Sequence, residues 1–138
     1  MPKIRVDLES VQVTDGQGVA EGDLELRIQV QEGKNSVIWP SLNGSVKVDK
    51  KGPPHTINNA HVATYDLAGG TLSKRFTIEV TEVDKGLHGQ DDIGQGAITL
   101  DLSPTMKPQT KYATIDLKRP NMSYNGQVKV ALTAQQVQ

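Results

Sequence analysis

Between Phe76 and Leu102 the chain alternates polar and apolar residues, breaks into Glu82-Val83-Asp84, crosses Lys85-Gly86-Leu87-His88-Gly89-Gln90, and resumes at Asp91-Asp92. Four carboxylates, Glu82, Asp84, Asp91 and Asp92, therefore stand at the two ends of one short connection. Glu82 and Asp84 are two apart, so in extended geometry their side chains project to the same side of the strand. Asp91 and Asp92 return seven and eight residues after Asp84, close enough for oxygens from both ends to converge. Donors of this kind suit a hard cation. Calcium takes six to eight oxygens at about 2.3–2.6 Å from carboxylates and loop carbonyls, whereas magnesium demands a near-octahedral cage that an irregular connection supplies less readily. Calcium is thus the expected cofactor. The competing reading is that Asp and Gly fill a solvated hairpin because both favour turns.

Other chemistries find less support. Counted from Asp84, the third position is Gly86 and the twelfth Gln95, which rules out an EF-hand loop. There is no Gly-x-Ser-x-Gly elbow, no His-Glu-x-x-His pair and no Gly-x-x-x-x-Gly-Lys phosphate loop. Asp91 and Asp92 adjoin each other and lack the aromatic-lined cleft that carboxylate chemistry on a sugar requires. His55, His61 and His88 share no ligand spacing. Trp39, followed by Pro40, is expected to seal one end of the core. Catalytic residues are not identified, and the chain reads as a non-enzyme.

The elements that must carry the acidic connection are strands. Ile4, Val6 and Leu8 alternate with Arg5 and Asp7, and the phase changes before Val11 and Val13 as it does across a β-bulge, which predicts a first strand over residues 3–14. Asp15-Gly16-Gln17-Gly18 is turn chemistry, and Leu24, Leu26, Ile28 and Val30 then alternate with Glu25, Arg27 and Gln29. Val46 and Val48 mark a short strand that Gly52-Pro53-Pro54 closes, and residues 60–67 a weaker one. Leu72, Phe76, Ile78 and Val80 lead into the acidic connection; Ile98, Leu100 and Leu102 lead out. Two more strands follow around Ile115 and Val130, and residues 134–138 read as a polar tail. With no sustained helical period, the expectation is an all-β, antiparallel β-sandwich of seven or eight strands.

A chain of 138 residues supports one domain, 1–138, that removes roughly two-thirds of its unfolded surface from water. Five aromatics leave few stacking platforms for bases or sugars, and a net charge of −1 supplies no field that would draw nucleic acid. The absence of cysteine excludes disulfides and thiolate metal sites. No signal-like or membrane-spanning run is present, so cytoplasmic residence, or export without a classical signal peptide, is expected.

Residues 78–102 resemble the last calcium-loop region of C2 domains. In that family a strand ends in Asp-x-Asp, a variable tip follows, and a further Asp is followed by two residues and a Gly before the next strand; Glu82, Asp84, Asp91 and Gly94 occupy those positions. Residues 113–132 are similar to the family's terminal pair of strands, with Gly126 ahead of the last. Residues 6–30 are compatible with the first calcium loop, where the resemblance implies Asp15 and either Glu21 or Asp23 as ligands. The chain departs from the family in lacking Ser-Asp-Pro-Tyr after the first loop and Asn-Pro-x-Trp in the middle, and in carrying Glu where the first Asp of the pair would stand.

The resemblance implies a C2-like sandwich acting as a calcium-dependent binding module for a protein partner or an anionic membrane surface. Val19 and Leu87 would then be the apolar loop tips. The alternative is a metal-independent assembly protein whose sandwich packs against other subunits.

Overall fold

The computed structural model describes residues 3–15, 24–49, 52–83, 91–118 and 126–137. Among them ten strands form: β1 (Lys3–Asp15), β2 (Leu24–Glu32), β3 (Asn35–Trp39), β4 (Val46–Val48), β5 (His55–Thr56), β6 (His61–Asp66), β7 (Leu72–Glu82), β8 (Asp92–Leu102), β9 (Gln109–Leu117) and β10 (Gly126–Val137). One sheet has the order β5-β1-β10-β9, with β6 also paired to β1; the other has the order β3-β2-β7-β8, with β4 also paired to β2. Every pairing is antiparallel. The result is the all-β sandwich that alternation predicts, with two short strands added. β3 shows no clean alternation and follows the two-residue Gly33-Lys34 turn, where Gly33 takes a positive φ of 56° that a side-chain-bearing residue resists. β5 is only two residues long and exists because Ser10 and Val11 offer it a free edge.

The inner faces carry the apolar set that period-two alternation requires. Ile4, Val6, Leu8, Val11 and Val13 of β1 are all buried, because an extra residue between Leu8 and Ser10 shifts the β1–β10 register and returns Val11 to the inside. Ile28 and Val30 stand opposite Val80 and Ile78 on the neighbouring strand, and these four, with Leu24, Leu26 and Phe76, are buried. Burying a side chain of that size contributes roughly 1.5–3 kcal/mol, so aliphatic packing suffices where aromatics are scarce. Trp39 packs partly buried against this cluster, its ring 5.6 Å from that of His55. Residues 134–137 are not a tail: they continue β10, where Val137 pairs with Lys3 and Ala134 is fully buried.

The two sheets are tied at their edges. β8 and β9 end different sheets, yet their backbones meet where Ile93 N–H donates to Lys118 O at 2.8 Å and Lys118 N–H donates to Ile93 O at 3.1 Å. The approach is so close that a Cβ on Gly94 would lie 2.1 Å from Asp116 O and 2.6 Å from Ile115 Cγ2. Farther along, side chains bridge the gap: Lys111 Nζ donates to Thr99 O at 3.1 Å and Gln109 Nε2 to Asp101 O at 3.0 Å. At the opposite edge the Tyr65 hydroxyl of β6 donates to the Glu32 carboxylate of β2, and its ring meets Phe76 edge-on with centroids 6.4 Å apart. Burial, then the adjacent Glu32 hydrogen bond and charge, push the Tyr65 hydroxyl well above its ordinary pKa of 10.0.

Gly94→Ala is expected to destabilise the fold by about 1–3 kcal/mol, since the neighbour is backbone and cannot rotate away; a midpoint equal to the parent's in chemical unfolding would contradict this. Because the folded state holds the Tyr65 proton more tightly than the unfolded state, stability from this group is full below pH 10.0 and falls as pH rises beyond it. Urea unfolding at pH 8 and pH 11 should therefore show a shallower alkaline loss for Tyr65→Phe than for the parent.

Candidate functional site

The strand registers bring the acidic segments to one end of the sandwich. Asp15 pairs with Gln127 and Leu117 with Gly126 in the first sheet; Leu24 pairs with Val48, and Leu26 with Glu82, in the second. The Ile93–Lys118 bonds join these two sets of strand ends. The chain thus leaves β1, β7 and β9, and re-enters β2, β8 and β10, at the same end. Val83 N–H donating to Glu25 O at 2.8 Å holds the exit from β7 against the start of β2.

Glu82 and Asp92 form the last rung of the β7–β8 ladder, directly opposite one another. Residues opposite in an antiparallel pair share a face. Since Leu26, on the same rung, is fully buried, both carboxylates belong to the inner face, at the mouth between the sheets. Asp92 is only 2% exposed, while Glu82 and Asp91 are half-buried. Each of the three makes further polar or electrostatic contacts, and no buried side-chain polar atom among the described residues lacks a hydrogen-bond partner. Opposed Cβ atoms stand roughly 4.5–5.5 Å apart, and like charges at that distance oppose pairing.

Of the other residues expected from sequence, Asp15 sits at this end by its backbone pairing with Gln127. Asp84, Glu21, Asp23, Val19 and Leu87 lie outside the described residues. Among the described residues no three His, Asp or Glu side chains are grouped as a metal cluster. Glu82, Asp91 and Asp92 do not by themselves complete a calcium shell of six to eight oxygens. The donor type fits the ion; the number requires further ligands.

Gly94, matched to the C2 pattern by its spacing from Asp91, has a physical role of its own: it lets β8 pass against Asp116 and so fixes the direction in which Asp91 and Asp92 arrive.

One polar network is not visible in the sequence. On the outer face of the first sheet, Arg5 Nε donates to both Asp7 carboxylate oxygens at 2.9 and 3.0 Å, His61 Nδ1 lies 3.3 Å from Asp7 Oδ1, and His61 Nε2 lies 3.1 Å from Thr64 Oγ1. The order carboxylate, imidazole, hydroxyl is that of a hydrolase triad. Here, however, Arg5 engages both oxygens and the histidine side chain is 41% exposed on an open sheet face. What the network does is clamp β6 to β1 beside the register shift between Val6 and Asp7. Asp7 and His61 are 54 residues apart, so only strand pairing could reveal it.

Fold and strand registers together define an all-β, two-sheet antiparallel sandwich with acidic residues gathered at one end. Among solved structures the chain is similar to a C2 domain protein from Ramazzottius varieornatus, at 13% identity over 99% of this chain and 89% of that one, with a TM-score of 0.37. No family model and no curated protein matches the chain. That structural likeness assigns no ligand or partner here. No helix among the described residues is long and apolar enough to cross a membrane.

His61→Ala is expected to cost about 0.2–1 kcal/mol, the range for exposed charged pairs. A loss of several kcal/mol in denaturant titration would show that the clamp carries more of the fold than its exposure implies.

Proposed function

We propose that this chain is a non-catalytic, calcium-binding sandwich module whose ion-bound end engages a protein partner or an anionic membrane surface. The observation that supports this most is the Glu82–Asp92 rung: two carboxylates opposite one another on the inner face, with Asp91 adjoining, at the end from which the acidic connections depart. Glu82, Asp91 and Asp92 hold one side of the ion. Asp84, together with Asp15 and either Glu21 or Asp23, supplies further oxygens, and backbone carbonyls and water complete the shell. When bound, calcium neutralises the mutual repulsion of these groups, which favours the folded state and orders the connections that meet the partner. Val19 and Leu87, one from each acidic connection, are the apolar contacts offered to that partner.

Thermal unfolding of chelator-stripped protein, with and without millimolar calcium and with magnesium as control, tests the reading. Ligand at a hundred times its dissociation constant stabilises the native state by about 2.7 kcal/mol, so the midpoint should rise with calcium and much less with magnesium. An unchanged midpoint would overturn the metal site and favour the metal-independent assembly reading, for which light scattering should show an oligomer indifferent to chelator. Glu82→Gln and Asp84→Asn are each expected to weaken calcium binding at least about tenfold, equivalent to about 1.4 kcal/mol. Calorimetry giving the parent's affinity for both would remove these residues from the ligand set.

A further inference from the structure

We draw no further inference here: the strongest candidate, the open polar trough on the outer face of the β2–β7–β8 sheet lined by Gln29, Gln31, Arg75, Thr77, Glu79 and Gln95, is an unpartnered sheet face, and nothing in the structure shows what covers it.

Discussion

The backbone contact between β8 and β9 at Gly94 is the constraint on which the acidic end depends. Two sheets that merely stack keep about 10 Å between their mean planes. At this corner, direct hydrogen bonds between Ile93 and Lys118 replace that spacing, and they form only because position 94 carries no side chain. The corner also fixes the direction of β8 as it enters the sheet. Asp92 is consequently turned inward beside Glu82, and Asp91 is left at the rim.

Charge and packing work against each other at that rim. The β7–β8 ladder brings Glu82 and Asp92 opposite one another on a face that continues through the buried Val80, Ile78, Phe76 and Ile98. An apolar pair there would extend the core by one rung; two carboxylates instead oppose each other in an environment that solvates them poorly. Polar or electrostatic contacts made by Glu82, Asp91 and Asp92 within the protein accompany this placement. The outer faces follow the opposite rule: Asp7 has both Arg5 and His61 beside it on solvent-accessible surface, where charged pairs contribute little to stability and serve mainly to align β6.

Most of the architecture was legible from alternation alone. The inward sets of β1, β2, β7, β8, β9 and β10 are the residues that period-two reading selects, and the bulge in β1 shows as a phase change before Val11. β3 and β5 carry no signal of their own because neither alternates. Their pairing is decided by partners, β2 and β1, and not by their own residues. Residues 134–137 read as polar because Gln135 and Gln136 are exposed, yet Ala134 is buried and the ladder to β1 continues. At the candidate site, spacing located the carboxylates and the matched glycine. It could not reveal that Glu82 and Asp92 share a rung, since cross-strand register is set by the whole hairpin. Nor could it connect Asp7 with His61, whose approach exists only once β6 has paired with β1.

The pairing of Lys3 with Val137 bears on tethering. These two residues lie side by side at the end of the sandwich remote from Glu82 and Asp92. A domain, label or surface attached through either one is held at the pole opposite the carboxylates and leaves that end uncovered. The same adjacency means that a short linker could join residues 3 and 137 and the chain could be reopened between Leu67 and Leu72, giving a circular permutant in which the acidic pole keeps its connectivity.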